Sequence, residues 1–143
     1  MWIETEAGER TVAARQRLRI LIADDHDGTR RALQRLLRWL NCESDVVADG
    51  REAFEAVHSR DYDVILMDVV MPRMDGLEAT RRIRQERPFG AGPRIVGMSA
   101  SATPEDREIC LAVGMDDFLP KPMEVEALLR ILDELTVELA EMR

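Results

Sequence analysis

Asp61-Tyr62-Asp63-Val64-Ile65-Leu66-Met67-Asp68-Val69-Val70-Met71-Pro72-Arg73-Met74-Asp75-Gly76 is the stretch on which the reading of the whole chain turns. Val64 to Met67 form an unbroken apolar run, and a run without alternation reads as a strand covered on both faces. It stops at Asp68. Met71, Pro72 and Gly76 then mark a loop, so Asp68 is expected at the carboxyl tip of a central strand rather than inside the sheet. Strand tips of this kind are where open α/β sheets bind ligands.

Outward from that strand, short apolar runs alternate with amphipathic stretches, the pattern of βα units laying helices on a parallel sheet. Five units are expected from Leu18 on. The first strand, Leu18 to Ala23, ends in Asp24-Asp25, and Asp27 reads as the N-cap of a helix with Leu33, Leu36, Leu37 and Leu40 on one face. Strand two is placed at Ser44 to Ala48, followed by a helix from Gly50 with Phe54 and Val57 inward. Helix three runs from about Asp75 to Gln85, burying Leu77 and Ile83, until Pro88, Gly90, Gly92 and Pro93 break it. Strand four, Arg94 to Met98, leads into Ser99-Ala100-Ser101. Thr103-Pro104-Glu105-Asp106 has the composition of a helix start, and Gly114 supplies the stop. Strand five, Asp117 to Leu119, is short and placed at the sheet edge. After Pro120-Lys121-Pro122, Met123 to about Ala140 reads as a long last helix with Val125, Leu128, Leu129, Leu132 and Leu135 as its core face. Residues 1 to 16 read as a tail or linker, with room for a short helix over Thr11 to Arg17, and residues 17 to 143 as the domain.

Composition narrows the function classes. With 28 acidic against 20 basic residues the formal charge is −8 and the pI about 4.8, which disfavours binding of nucleic acid through its phosphates. Cys42 and Cys110 are the two cysteines, without metal-ligand spacing, and they predict a reduced, cytoplasmic setting. No apolar run approaches the roughly 18 residues of a spanning helix, and no leader pattern opens the chain.

In a sheet wound both ways from its first strand, strands one and three are neighbours and their helices leave on opposite sides, opening a crevice at the carboxyl ends. Asp24, Asp25 and Asp68 are expected to meet there. Three carboxylates so close repel unless a cation sits among them, and hard oxygen ligands describe Mg²⁺ or Mn²⁺. The remaining strand tips offer a hydroxyl, Ser99, and an ammonium, Lys121. That set makes sense around a phosphoryl group on a carboxylate: one oxygen to the metal, one to Lys121, one to Ser99.

Asp24-Asp25, the run from Asp63 through Asp68 to Gly76-Leu77-Glu78-Ala79, Ser99-Ala100, and Gly114-Met-Asp-Asp-Phe-Leu-Pro-Lys121-Pro122 resemble the receiver domain of two-component response regulators. The last of these looks most like receivers attached to hybrid sensor histidine kinases. The resemblance covers roughly residues 17 to 135. It implies a flavodoxin-like doubly wound sheet of five parallel strands in the order 2-1-3-4-5 with five helices. It also implies that Asp68 is the phosphoacceptor, Asp25 a metal ligand, Asp24 an outer-shell or second ligand, and the Val70 carbonyl the remaining protein ligand. Ser99 would be the switch hydroxyl, Phe118 the aromatic switch position turning inward after it, and Lys121 the phosphate-pairing lysine, followed by a cis bond to Pro122. The implied partners are a histidine kinase or histidine phosphotransfer domain and a downstream protein reached by binding.

Departures and competing readings are equally specific. Phe118 lacks the hydroxyl of the tyrosine often found there, so it can pack but not hydrogen-bond. Val70 and Ser101 offer little to position an attacking water, which predicts slow loss of phosphate. A metal-dependent phosphohydrolase with Asp68 as nucleophile would want a general acid two residues on, where Val70 stands; an inert module with the same fold is the third reading. His26 and His58 read as solvated residues. Arg31, Arg35 and Arg38, beside Arg30, recur on one side of the first helix, while residues 104 to 143 carry 11 acids against 4 bases. That side is either a solvated face or a docking surface for the phosphodonor. Ile131, Leu135, Leu139 and Met142 fall at helical spacing, either a broad buried face or a self-association surface pairing last helices.

Overall fold

The structure, a computed structural model, describes residues 13, 15–87, 91–101 and 103–141. Its elements alternate as β1 (Ile20–Ala23), α1 (Asp27–Trp39), β2 (Ser44–Val47), α2 (Gly50–Ser59), β3 (Val64–Asp68), α3 (Gly76–Glu86), β4 (Arg94–Ser99), α4 (Pro104–Ala112), β5 (Asp117–Pro120) and α5 (Val125–Glu141). The strands pair in parallel in the order β2-β1-β3-β4-β5. β3 is buried at all five positions, as its unbroken apolar run demands.

Two cores follow from the alternation of side chains across the sheet. Ile20, Ile22, Val64, Leu66, Val96 and Met98 face α1 and α5. Leu21, Ala23, Ile65, Met67 and Ile95 face the opposite layer of α2, α3 and α4. Burying one leucine-sized side chain contributes roughly 1.5–3 kcal/mol, so a one-residue slip of β3 would cost both layers together. Among the described residues no helix is long and apolar enough to cross a membrane.

Several local expectations shift. β1 starts at Ile20 rather than Leu18, and β2 stops at Val47 rather than Ala48. Asp27 is not the N-cap of α1: His26 is, without a side-chain cap, and its carbonyl accepts the first helical bond from Arg30 N at 3.0 Å. Asp27 instead pairs with Arg31 at 2.7 Å. α2 buries Ala53 and Val57, α3 buries Ala79, Thr80 and Ile83, and Phe54 and Leu77 are half-buried. The break expected at Pro88 and Gly90 lies outside the described residues. α5 begins at Val125, whose side chain is exposed rather than in the core, while Ile131 and Leu135 are buried. Leu139 packs against the same core and Met142 is outside the described residues. The stripe proposed for self-association is thus largely spent on the domain's own interior.

Most of the expected tail, residues 1 to 16, also lies outside the described residues. Arg15, within them, is packed against the domain. Its Nε stands 3.4 Å from Asp133 Oδ1 on α5, and its carbonyl accepts from Leu18 N at 3.1 Å and from Cys42 Sγ at 3.5 Å.

Candidate functional site: an acidic crevice at the strand tips

β1 and β3 end side by side, Ala23 opposite Met67, so Asp24 and Asp68 leave neighbouring strands at the same level. Both are almost fully buried, and Asp25 is about 29% exposed at the mouth. The β3–α3 loop is folded tightly onto Asp68: Gly76 N–H donates to the Val69 carbonyl at 3.0 Å, and a Cβ on Gly76 would lie 2.1 Å from the Asp68 carbonyl oxygen. Only glycine allows that approach. Asp75 caps α3, accepting from Glu78 N at 2.8 Å.

Lys121 reaches in from β5, with Nζ 2.8 Å from Asp24 Oδ2 and 3.1 Å from Asp68 Oδ2. Its peptide bond to Pro122 is cis. Burial opposes the ammonium, yet the bonds to Asp24 and Asp68 hold its pKa above the usual lysine value. Asp68 is shifted upward, first by burial and also by the charge of Asp24, with Lys121 and the Val70 N–H (3.3 Å) pulling the other way. The carboxylate is therefore under electrostatic stress that a cation would relieve.

The donor set fits a hard divalent cation. One ligand atom each from Asp24, Asp25, His26 and Asp68 lie within 4.8 Å of one another, and a Mg²⁺ shell with bonds of about 2.0–2.1 Å spans roughly 4.2 Å between opposite ligands. Both Asp24 oxygens have donors, His26 N and Lys121 Nζ. Asp25 Oδ1 is closed off from solvent and accepts no hydrogen bond, 3.2 Å from His26 Nδ1. The His26 ring itself is largely exposed.

Ser99 stands at the tip of β4, one residue past Met98, the partner of Asp68, and its carbonyl accepts from Lys121 N at 2.8 Å. Its hydroxyl oxygen accepts from Ser101 N at 3.1 Å. Val70 sits on the loop with its side chain 74% exposed. Phe118 is buried among Ile95, Cys110 and Met115, opposite Gly97, where a Cβ would meet Met115 Sδ at 2.6 Å and Phe118 Cδ2 at 3.4 Å. The ring therefore packs inside the fold, on the side of the sheet away from α1 and α5. Arg30, which the sequence places only beside the stripe of Arg31, Arg35 and Arg38, serves the site: its Nη1 donates to the Asp24 carbonyl at 2.7 Å. Its position one turn into α1, after the acidic pair, was the available signal.

A doubly wound five-stranded sheet with acids from two adjacent central strands and a lysine from a third defines a class of phosphoryl-handling α/β domain. Residues 20–133 match the family model of the response regulator receiver domain, and the chain belongs to that family: it is a receiver domain of the two-component phosphorelay kind. It is 37% identical over 133 residues to the sensor protein EvgS of Escherichia coli, covering 93% of this chain and 11% of EvgS; the chain thus spans about a tenth of that relative. The receiver domain of the Pseudomonas aeruginosa sensor histidine kinase PA1611, solved with magnesium coordinated in its active-site cleft, is 36% identical with a TM-score of 0.73, covering 83% of this chain and 97% of that one. The Saccharomyces cerevisiae receiver of Ssk1, solved in complex with the histidine phosphotransfer protein Ypd1, is 26% identical with a TM-score of 0.78, covering 84% and 89%.

Proposed function

We propose that Asp68 accepts a phosphoryl group from a phosphohistidine, with a divalent cation, Mg²⁺ or Mn²⁺, in the acidic crevice. The P–O bond to the Asp68 carboxylate forms as the P–N bond breaks, and the departing imidazole takes up a proton. The single observation that carries this is Lys121 bridging two buried carboxylates from different strands. An ammonium so placed can pass from Asp68 to a phosphoryl oxygen, and Ser99 can donate to another. Asp25, with its unpartnered oxygen, Asp68 and the Val70 carbonyl would hold the cation, while Asp24, its oxygens engaged, belongs in the outer shell. The cation would neutralise charge on the transferring group.

The transfer adds about −1.5 to −2 charges to the crevice, so the domain acts as a switch read by a downstream protein rather than as an enzyme with turnover. The phosphohydrolase reading lacks its general acid, since the exposed apolar Val70 occupies that place. For the donor, a groove of about 600 Å³ runs beside the crevice, with Ala32, Leu36, Met98, Pro122 and Met123 along it and Lys121 at its end. Arg31 and Arg35 are exposed on the α1 side. A histidine kinase or histidine phosphotransfer domain docking there would bring its imidazole to Asp68, the kind of partner Ssk1 has in its complex.

Incubation with acetyl phosphate, with and without Mg²⁺, separates the readings by intact mass and released phosphate. A retained one-phosphoryl adduct supports the switch. Phosphate release without adduct supports the hydrolase, and neither supports the inert module.

A further inference from the structure

Among the described residues, His26 brings the one nitrogen ring to the acids of the crevice, and its backbone is pinned there from both sides. Its N–H donates to Asp24 Oδ1 at 2.9 Å, and its carbonyl accepts from Arg30 N at 3.0 Å. The imidazole caps nothing on α1 and is largely exposed, so neither the helix nor the core explains where it lies. It lies over the carboxylates. Nδ1 stands 3.2 Å from Asp25 Oδ1 and 3.5 Å from Asp24 Oδ1, and a ring nitrogen falls within 4.8 Å of a ligand oxygen on Asp24, Asp25 and Asp68 alike. The separation from Asp25 Oδ1 would suit a hydrogen bond, yet that oxygen, shut off from water, accepts none. The two atoms therefore stand side by side instead of facing each other, whereas a plain ion pair turns its N–H onto the oxygen. Ligands of one cation stand side by side in this way. With bonds of about 2.0–2.1 Å, neighbours at right angles are roughly 2.9 Å apart and tetrahedral neighbours roughly 3.3 Å.

Resting on the reading of the crevice as a cation site, we propose that the His26 imidazole is a ligand of that cation through Nδ1, beside Asp25 Oδ1, and that it sets a preference for the borderline dications Mn²⁺, Co²⁺, Ni²⁺ and Zn²⁺ over Mg²⁺. Mg²⁺ takes oxygen ligands and keeps its waters, whereas imidazole suits the later ions and gains affinity along the series from Mn²⁺ to Ni²⁺. Asp25, Asp68 and the Val70 carbonyl offer oxygen to either kind of ion. His26 tells them apart by putting nitrogen where a water would otherwise bind. Because its backbone is held by Asp24 and Arg30, the ring starts from a fixed point at the mouth, and ligation costs only the rotation of one side chain.

The test is pulsed EPR of Mn²⁺ bound to the full chain, with calorimetry for the affinities of Mn²⁺, Ni²⁺ and Mg²⁺. Wild type should show the coupling of a directly bound imidazole nitrogen, and His26→Phe, which keeps a ring but no donor, should lose it. That variant should bind Mn²⁺ roughly tenfold more weakly and Ni²⁺ more weakly still, with Mg²⁺ affinity within about twofold of wild type. Its thermal unfolding without metal should match wild type, since the side chain is exposed and caps nothing. His58→Gln, which removes the other histidine, should keep the coupling. Bound Mn²⁺ without nitrogen coupling in wild type, or equal losses of Mg²⁺ and Ni²⁺ affinity in His26→Phe, overturns the ligand assignment and leaves the crevice reading standing. Nitrogen coupling that survives Asp25→Asn combined with Asp68→Asn puts the ion outside the crevice and overturns both. Failure of wild type to bind any of the three ions also overturns both.

Discussion

Lys121 Nζ lies 3.1 Å from Asp68 Oδ2, an ammonium from β5 set against a buried carboxylate from β3 across the tip of β4. The same nitrogen bridges to Asp24 at 2.8 Å. Removing it leaves two buried acids facing one another. Lys121→Ala should destabilise the domain by about 1.5–3 kcal/mol, the range for charged hydrogen bonds. Most of that loss should disappear when Asp68→Asn is added, because the repulsion has then lost one partner. Urea unfolding of the four proteins of this cycle, without divalent cation, measures the coupling, and strictly additive losses would sever the link between the two residues.

Burial and the charge of Asp24 push the Asp68 pKa up, so at neutral pH the ionised form is held at a cost to the fold. The sign follows: an acid with a raised folded pKa favours the native state at low pH and loses that contribution as pH rises through its range. Asp68→Asn should therefore raise stability at pH 7 by about 0.5–2 kcal/mol in the absence of metal, as relief of a strained site does. Mg²⁺ at ten times its dissociation constant should stabilise the wild type by about 1.4 kcal/mol, reversed by chelator, and should stabilise Asp68→Asn much less. Thermal unfolding with and without Mg²⁺ reads both effects.

Arg31 and Arg35 are exposed on the α1 side, next to the groove beside the crevice, and Arg31 pairs with Asp27 at the surface. Charge reversal, Arg31→Glu with Arg35→Glu, should slow transfer from a phosphorylated histidine phosphotransfer domain by roughly tenfold or more through loss of steering. Labelling by acetyl phosphate should stay within about twofold, since that donor needs no docking face. Stopped-flow or quenched transfer assays at two salt concentrations check both.

His58 is exposed at the end of α2. Its Nδ1 meets the Phe54 carbonyl at 2.8 Å and its Nε2 meets Glu86 on α3 at 2.5 Å, and these two partners, in that order, raise its pKa above the ordinary value. A base with a raised folded pKa contributes stability fully below its unfolded pKa and loses it as pH rises through the folded one. His58→Gln should thus be less stable than wild type at pH 5.5 and match it more closely at pH 9. An NMR titration of the His58 ring supplies the pKa directly.

The fold was legible because β3 is apolar without alternation and ends abruptly in an acid, which sets both the two-layer cover and the site at the strand tip. Asp24, Asp25, Asp68 and Lys121 could be brought together on paper since parallel topology places every strand's carboxyl end at one edge. What stayed hidden was decided by single hydrogen bonds and by packing. Asp27 looks like a cap, but α1 already begins at it, because the His26 carbonyl takes the first helical bond from Arg30 N. Val125 fits the apolar period of the last helix yet lies exposed, whereas Ile131 and Leu135, readable as an outer stripe, are buried. Arg15 sits in a polar stretch whose tie to Asp133 spans most of the chain.

The central claim is most directly tested by mapping where the phosphoryl group goes. After incubation with acetyl phosphate and Mg²⁺, borohydride reduction converts an aspartyl phosphate to homoserine, and peptide mass spectrometry locates it. Homoserine at position 68 alone, and none when the cation is chelated, is the result expected. Label at Asp24, Asp25 or His26, or label at Asp68 that persists in full without divalent cation, would contradict the account.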